Sequence, residues 1–217
     1  MFISYGLKLL PLAWYHELTS VSLTSTFKNS YADTSLFVLN TGTHLLYLLV
    51  FVDDIVLTSD NFDLVHQFVD CLTQRFSLKD LSPLSYFLGV EIVPHRHGIL
   101  LSQRRYIVDI LIRTHMLGAK PVSTPLPHNL SLSLYSSAPL SDPTEYHTIV
   151  GSLQYLSLTH SNISYVVSKL SRFMHHPSTE HWVLVKRLLR YLCGTLDDGV
   201  LLYRNSPLSL RAFSDTD

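Results

Sequence analysis

The sequence predicts a mixed α/β fold of the α+β type, and two patterns carry this prediction. Runs rich in β-branched and aromatic residues, separated by short turn signals, occupy much of the first half of the chain. Apolar residues at helical spacing dominate the second half. The 217 residues are 47% hydrophobic and 15% charged, which allows a sizeable buried core and excludes a disordered tail.

Two β-rich runs in the first half indicate a hairpin. The runs at 35–40 and 44–52 are separated by a turn signal around Gly42. The second run is apolar on both faces, which is typical of a central strand covered on both sides. It ends at Asp53 and Asp54, directly before another short β-rich run. The sequence therefore predicts two carboxylates at a tight turn.

Helices are predicted where apolar residues recur every three or four positions. One helix is expected to begin at Thr144, because Asp142 offers a cap and Pro143 suits a first helical turn. The segment 118–141 is rich in Pro and Ser and is predicted to be a linker. The predicted helices span 13–26, 62–76, 103–116, 144–158, 161–175 and 179–192, and the further predicted strands span 55–58, 86–93, 99–102, 200–203 and 208–214.

Charge is close to balanced overall but unevenly distributed along the chain. The formal net charge of −1 favours neither nucleic acid nor an anionic membrane surface as a partner. Between residues 30 and 94, eight acidic residues stand against two basic ones, whereas the segment 95–120 is basic. An acidic centre suited to metal binding is therefore followed by a segment suited to phosphate contacts.

Several other classes of protein are disfavoured. Cys71 and Cys193 are far apart and outside any C-x-x-C motif, so a reducing, intracellular compartment fits better than a secreted disulfide framework. The longest apolar run is too short to cross a bilayer, and no secretory signal is expected. The 12 histidines show no zinc-site spacing. Four aromatic residues at helical intervals are expected to lie in the core: Tyr155, Tyr165, Phe173 and Tyr191.

Asp53 and Asp54 are the strongest candidates for chemistry. Carboxylate oxygens bind hard divalent cations, and two such cations can activate an attacking hydroxyl and stabilise the leaving oxygen in phosphoryl transfer. Because side chains alternate along a strand, one aspartate is expected to be the primary ligand and the other a supporting acid. An isolated Asp-Asp pair is also common in solvated turns, so the pair alone does not decide between the two interpretations.

Several motifs stand in a fixed order along the chain. Residues 48–55 read L-L-V-F-V-D-D-I, and K-D-L at 79–81 is followed by Y-F-L-G-V-E at 86–91. Together these resemble the reverse transcriptase of copia-type LTR retrotransposons, with its L-L-V-Y-V-D-D-I catalytic hairpin and its K-D-L-G-x-x-x-Y-F-L-G-I-E primer grip. Further segments resemble the family in the same order, at 5–8, 13–15, 101–106, 121–125, 150–156, 181–182 and 190–195.

The resemblance implies RNA-directed DNA polymerisation with Mg²⁺ or Mn²⁺ as cofactor. The implied partners are an RNA template, a DNA primer, dNTPs and other Pol polyprotein segments, without a membrane, in a cytoplasmic virus-like particle or the nucleus. It also implies a partial polymerase palm at 1–102, helical thumb and connection at 103–195, and the first strand of an RNase H-like domain at 196–217. The implied residues are Asp53 and Asp54 (catalysis, metal), Lys8 and Phe51 (nucleotide or template), Phe87, Leu88 and Gly89 (primer grip) and Asp215 (first RNase H acid). The charge layout adds candidate contacts to the nucleic-acid backbone at Arg104, Arg105, Lys186, Arg187 and Arg190. By charge pattern alone, the cluster of Lys186, Arg187 and Arg190 is more typical of a solvated helix face.

The chain also departs from the family's pattern. The family's polymerase site has three acids, and the first lies well upstream of the segment that begins here at Tyr5, so this acid is expected to be missing. Leu9, Leu10 and Leu12 replace the family's Gln, Ala and Arg. We therefore expect a fragment that is inactive alone. The alternative is a non-catalytic retrotransposon remnant that at most binds nucleic acid or a protein partner.

Overall fold

The chain is described by a computed structural model that covers residues 2–4, 27–51, 54–76, 79–80, 83–127, 137–207, 209, 212 and 214. It divides into two compact units, Met1–Ser85 and Tyr86–Asp217. Each unit contains an antiparallel sheet and at least one helix. The mixed α/β prediction is confirmed.

Six strands form the sheet of the first unit. They are β1 (Phe2–Ser4), β2 (Lys28–Asn29), β3 (Leu36–Asn40), β4 (Leu45–Phe51), β5 (Asp54–Ser59) and β6 (Lys79–Asp80). Their order across the sheet is β2-β3-β4-β5-β1-β6. Strands β4 and β5 are therefore internal, and the predicted strands at 35–40, 44–52 and 55–58 are confirmed.

The turn between β3 and β4 is closed at Gly42. Its φ of 87° lies in the left-handed region that glycine enters without steric cost. The Gly42 N–H donates to the Asn40 side-chain oxygen at 2.8 Å. The turn signal around Gly42 thus correctly predicts the hairpin.

Strand β4 is buried on one face. Leu46, Leu48 and Val50 are at most 2% exposed, whereas the alternate residues Tyr47 and Phe51 are 38% and 42% exposed. The prediction of a strand covered on both sides is therefore wrong. Its outward face is apolar in sequence, but within the described residues of this unit only one helix packs on the sheet.

That helix, α1 (Phe62–Arg75), covers the buried face of the β4–β5 hairpin. It begins at Asn61, whose side-chain oxygen accepts hydrogen bonds from the N–H groups of Asp63 at 2.9 Å and Leu64 at 3.3 Å. Such a cap satisfies backbone donors that the first helical turn leaves without partners. The predicted helix at 62–76 is confirmed, and its buried residues follow helical spacing: Val65, Phe68, Val69 and Leu72.

Four strands form the sheet of the second unit. They are β7 (Tyr86–Phe87), β8 (Val90–His95), β9 (Gly98–Ser102) and β10 (Val200–Tyr203), in the order β10-β9-β8-β7. The strands predicted at 99–102 and 200–203 are confirmed. The single strand predicted at 86–93 is wrong, because the chain reverses between β7 and β8.

The helices of the second unit pack into one core. The described helices are α2 (Arg104–Arg113), α3 (Thr144–Gln154), α4 (Ser164–Ser171) and α5 (Thr179–Gly194). The predicted start of α3 is confirmed, with the Thr144 N–H donating to the Asp142 carboxylate at 2.9 Å. The helix predicted at 144–158 tightens into a 3₁₀ turn at Tyr155–Leu158, and the one predicted at 161–175 begins as a 3₁₀ turn at Ser161–Ile163.

The unit boundary differs from the predicted segment boundaries. Strand β10 pairs with β9, which continues the sheet of β8 and β7, so residues 86–102 share a sheet with residues 200–203. This pairing places the division after Ser85 instead of after 102. The palm, thumb and RNase H labels stay predictions. The predicted helix at 13–26 and most of the predicted strand at 208–214 lie outside the described residues.

Tyr146 supplies the first prediction, on stability. Its side chain is fully buried, and its hydroxyl donates to the Leu170 carbonyl oxygen at 2.8 Å, joining α3 to α4. Burial raises the pKa of Tyr146, so the hydroxyl stays a donor at neutral pH. Tyr146→Phe should lower the free energy of unfolding by about 1 kcal/mol in urea titrations. Tyr165→Phe, at a residue 61% exposed, is the control and should change it by less than about 0.5 kcal/mol. Equal effects would contradict the role of the bond.

Candidate functional site

Asp54 lies at the closed end of the β4–β5 hairpin. It is the first residue of β5, its cross-strand partner on β4 is Phe51, and its partner on β1 is Ser4. The Asp54 side chain is half-buried. Two predicted site residues, Asp54 and Phe51, are thus brought together at the end of an internal strand. Three others lie outside the described residues: Lys8, Asp53 and Asp215.

The opposite end of the same hairpin is fixed by Asp60. One of its carboxylate oxygens lies 3.2 Å from His44 Nδ1, and the other accepts the Leu45 N–H at 3.3 Å. The hydrogen bond from His44 is the main cause that holds the pKa of Asp60 below its usual value. Because Asp60 is exposed, this contact adds little stability, but it joins the two strands of the hairpin on which Asp54 lies.

The donor chemistry at Asp54 suits a hard divalent cation, because Mg²⁺ and Mn²⁺ prefer carboxylate oxygens. In the described parts of the chain, no group of three His, Cys, Asp or Glu side chains is placed to hold a metal ion. Asp54 therefore offers one suitable ligand, and the described residues alone do not complete a site.

The predicted primer grip is a tight turn between β7 and β8. Phe87 pairs with Val90, so Leu88 and Gly89 are the two residues of the turn. Their φ angles are 49° and 81°, and two positive φ values are the mark of a type I′ hairpin turn. This geometry is the physical reason why the strand predicted at 86–93 is interrupted.

Leu88 breaks the sequence preference of that turn. Asn or Gly usually occupies its position, since a larger side chain at positive φ is strained. Its side chain gains no compensating burial, because Leu88 is 52% exposed. The turn therefore presents a strained, apolar side chain to solvent.

Glu91 anchors this hairpin to helix α2. One oxygen of its carboxylate lies 2.8 Å from Arg105 Nε, and the other accepts the Arg105 backbone N–H at 3.1 Å. The Glu91 side chain is only 14% exposed, whereas that of Arg105 is 78% exposed. The sequence gives no local signal for this contact of Glu91, because its partner lies 14 residues away.

A second acidic residue reaches the same end of α2. Arg104 forms an ion pair with Asp197, which follows α5. Helix α2 has no acidic residue in its first turn, and its N-cap residue Gln103 makes no side-chain capping bond. Negative charge at a helix N-terminus is favourable, so Glu91 and Asp197 together supply what the helix's own sequence lacks.

The basic residues predicted on α5 are also engaged within the chain. Arg187 donates to Thr124 Oγ1 at 2.9 Å, and Arg190 Nε donates to the Lys120 carbonyl oxygen at 2.8 Å. These bonds hold the Pro-rich segment against α5. Lys186 Nζ lies 5.6 Å from the centre of the Trp182 ring and is exposed.

A buried polar chain links the start of α2 to the end of α5. Thr159 Oγ1 donates to Gln103 Oε1 at 2.7 Å and lies 3.0 Å from His160 Nδ1. His160 Nε2 lies 3.1 Å from the Thr195 carbonyl oxygen. Gln103, Thr159 and His160 are each at most 5% exposed. Sequence reasoning missed this chain, because its members are distant along the sequence.

The expectation that the spaced aromatic residues are core residues holds only in part. Tyr191 is 9% exposed, but Tyr155 and Tyr165 are 73% and 61% exposed. Tyr165 lies beneath the Lys169 ammonium group, 4.6 Å from the ring centre. Tyr155 and Tyr165 thus keep the helical spacing but lie on the exposed side of their helical segments.

Residues 3–128 match the family model described as reverse transcriptase (RNA-dependent DNA polymerase). The chain belongs to this family, as found in the Pol polyproteins of copia-type retrotransposons. It is 54% identical over 213 residues to the "Retrovirus-related Pol polyprotein from transposon RE1" of Arabidopsis thaliana, covering 98% of this chain and 14% of that protein. It is 52% identical over 213 residues to the corresponding RE2 polyprotein, covering 98% of this chain and 15% of that protein. The resemblance to copia-type reverse transcriptases that the sequence motifs indicate is confirmed.

A shorter relative matches most of its own length. The chain is 45% identical over 172 residues to the "Uncharacterized mitochondrial protein AtMg00810" of Arabidopsis thaliana, covering 79% of this chain and 71% of that protein. No solved structure matches the chain. Among the described residues of this reverse transcriptase-like chain, no helix combines the length and apolar character needed to span a membrane.

The strained turn yields a prediction on stability. Leu88→Asn places a residue that tolerates positive φ at a position 52% exposed, where little packing is lost. The free energy of unfolding should rise by about 0.5–1 kcal/mol in urea titrations. Gly89→Ala is the converse variant and should lower it by about 1 kcal/mol, because φ there is 81°. A loss of stability in Leu88→Asn would contradict the strain.

The anchor at α2 yields another prediction. Glu91→Ala removes the ion pair and the acceptor for the Arg105 N–H, so the free energy of unfolding should fall by about 1–2 kcal/mol. Glu91→Gln keeps an uncharged acceptor and should lose less. The matched control is Glu145→Ala, at an exposed glutamate in the first turn of α3. It should lower the free energy of unfolding by no more than about 0.5–1 kcal/mol. An equal loss in the control would show that Glu91 acts only through general helix electrostatics.

Proposed function

We propose that this chain supplies the catalytic hairpin and the primer grip of a copia-type reverse transcriptase that copies RNA into DNA. The family match over 3–128 supports this function, and the placement of Asp54 at the closed end of internal strand β5 is the single observation that carries it. The chain spans only 14% and 15% of the RE1 and RE2 polyproteins. The proposed activity therefore belongs to a longer Pol polyprotein, whose other segments are its partners.

In this proposal Asp53 is the primary metal ligand and Asp54 the supporting acid. Mg²⁺ or Mn²⁺ held there would supply positive charge at the attacking and leaving oxygens of nucleotidyl transfer. Phe51 pairs with Asp54, so its exposed ring borders the same end of the hairpin and suits contact with the incoming dNTP or the template base. Lys8 is proposed to contact the same substrates, and Asp215 to be the first acid of an RNase H site.

The turn Phe87–Leu88–Gly89 is proposed to hold the primer strand. Exposed Leu88 offers an apolar surface to a sugar or base, and its strained backbone is held by the pairing of β7 with β8. The anchor between Glu91 and Arg105 keeps this turn fixed relative to α2. A fixed contact surface lowers the entropy lost when the primer binds.

Arg104 and Arg105 are proposed to contact the nucleic-acid backbone while they keep their ion pairs. Each guanidinium has five N–H donors, and a single carboxylate uses only some of them. Their side chains are 50% and 78% exposed, so the outer donors face solvent. Lys186 is exposed as well, whereas Arg187 and Arg190 are held more firmly against the segment 118–127.

Primer extension tests the proposal. The assay uses the chain alone and a chimera in which the chain replaces the matching segment of the RE1 polyprotein, with an RNA template, a DNA primer, dNTPs and Mg²⁺. In the chimera, Asp53→Asn should reduce extension by about 100-fold or more, because several kcal/mol of transition-state stabilisation depend on the metal. Asp70→Asn is the control, since Asp70 is an exposed acid on α1.

The outcomes separate the parts of the proposal. Extension that survives Asp53→Asn refutes the metal role of that residue. A chimera that never extends, beside an active RE1 polyprotein, refutes the claim that this chain keeps a working site. Salt-dependent RNA binding without extension would favour the non-catalytic alternative. The expectation that the chain alone is inactive stays a prediction, which extension by the chain alone would contradict.

A further inference from the structure

An open cleft lies in the second unit, at the opposite end of strand β8 from the turn of Leu88 and Gly89. Its volume is about 440 Å³. One side is the turn between β8 and β9, with Arg96 and His97, and the other is the segment that follows β10, with Tyr203 and Arg204. The cleft therefore brings together two guanidinium groups and two aromatic rings. One of each comes from the β8–β9 turn, and the other comes from a segment distant in the sequence.

The two sides of the cleft are held in register by strand pairing. Tyr203 pairs with Gly98, and the Arg204 N–H donates to the His97 carbonyl oxygen at 2.9 Å. A Cβ atom on Gly98 would lie 1.9 Å from the Leu202 carbonyl oxygen, so only glycine allows this close approach. The cleft is thus a fixed feature of the sheet end.

Arg96 and Arg204 differ from the basic residues discussed above. Both are exposed, and within the described residues neither guanidinium forms an ion pair or a side-chain hydrogen bond. Arg104, Arg105, Arg187 and Arg190, by contrast, each bond to another part of the chain. An anion that binds Arg96 and Arg204 therefore displaces no ion pair or side-chain hydrogen bond between described residues.

Aromatic rings continue from the basic residues across the same surface. The ring centres of His95 and His97 are 5.5 Å apart, and those of His97 and Tyr203 are 6.5 Å apart. Tyr203 is 58% exposed. Exposed rings next to arginines suit single-stranded nucleic acid, because bases stack on the rings while phosphates pair with the guanidinium groups.

We propose that this cleft binds a single-stranded segment of nucleic acid, with Arg96 and Arg204 on its phosphates and Tyr203 stacked on a base. The proposal rests on the proposed function for its ligand class and adds a contact site outside the primer grip and the predicted backbone-binding arginines. A free phosphate compound would use the two arginines alone. A nucleic-acid strand would use Tyr203 as well, so the two sources are distinguishable.

The test measures binding of the full chain to a short single-stranded RNA by fluorescence anisotropy over a range of salt concentrations. The double variant Arg96→Gln/Arg204→Gln should bind about 10-fold more weakly, and its salt dependence of log K should be shallower by about 1.4, since each phosphate contact on a single strand contributes about 0.7. Tyr203→Leu should weaken binding at least about fivefold, whereas Tyr203→Phe keeps the ring and should bind like the unsubstituted chain.

A matched control and a competing ligand complete the test. Arg172→Gln removes an exposed arginine at the end of α4 and should change binding less than twofold. Inorganic polyphosphate replaces RNA in a parallel titration, and Tyr203→Leu should leave its binding unchanged. Circular dichroism checks that each variant is folded.

Three results would overturn the proposal, and they have different meanings. If the unsubstituted chain binds RNA and the double variant binds it with unchanged affinity, RNA does not bind at the cleft. The proposed function is then unaffected. If the double variant loses affinity but Tyr203→Leu has no effect, the cleft binds a phosphate compound and the proposal that it binds a nucleic-acid strand is wrong. If the unsubstituted chain does not bind RNA even at low salt, both the cleft and the proposed nucleic-acid contacts of this chain fail.

Discussion

The carboxylate of Glu91 joins strand β8 of the second unit to the start of helix α2. That carboxylate, only 14% exposed, accepts a hydrogen bond from the Arg105 backbone N–H and forms an ion pair with the Arg105 guanidinium. Helix α2 begins with two arginines at the positive end of its dipole, an arrangement that is unfavourable without nearby negative charge. By providing that charge from β8, Glu91 fixes the hairpin that presents Leu88. Asp197 supports the same helix end from the chain that follows α5.

This arrangement divides the basic residues into two groups. The two arginines at the start of α2, and Arg187 and Arg190 on α5, hold segments of the chain together, so a phosphate that binds them must share donors already in use. Within the described residues, the guanidinium groups of Arg96 and Arg204 form no ion pair or side-chain hydrogen bond. The phosphate contacts proposed at the sheet end would use donors that no described residue engages, whereas contacts at α2 would act on the same bonds that position the turn of Leu88 and Gly89. Net charge and basic clusters in the sequence do not reveal this difference.

The elements that the sequence predicts correctly are those that depend on short-range sequence patterns. The hairpin of β3 and β4, the strand β5 and the helix α1 follow from alternation, a glycine turn and helical spacing, and the pairing of Phe51 with Asp54 puts two predicted site residues side by side. The sequence predicts a continuous strand at 86–93 because aromatic and β-branched residues stand on both sides of Gly89. The contacts of Glu91 with Arg105, and of Thr159 with Gln103, join distant segments and leave no periodic signal.

Leu88 occupies a turn position with positive φ that normally favours Asn or Gly, and this departure bears on the proposed function of the turn. A leucine at a φ of 49° costs conformational energy, and burial does not offset that cost because the side chain is 52% exposed. Neither the turn nor the core of this unit requires an apolar residue there. A surface contact made by the side chain does require one, which supports the proposed role of the turn in holding the primer. The strain is tolerated because β7 and β8 are paired and Glu91 ties β8 to α2, so the same carboxylate that stabilises the helix also maintains the exposed leucine.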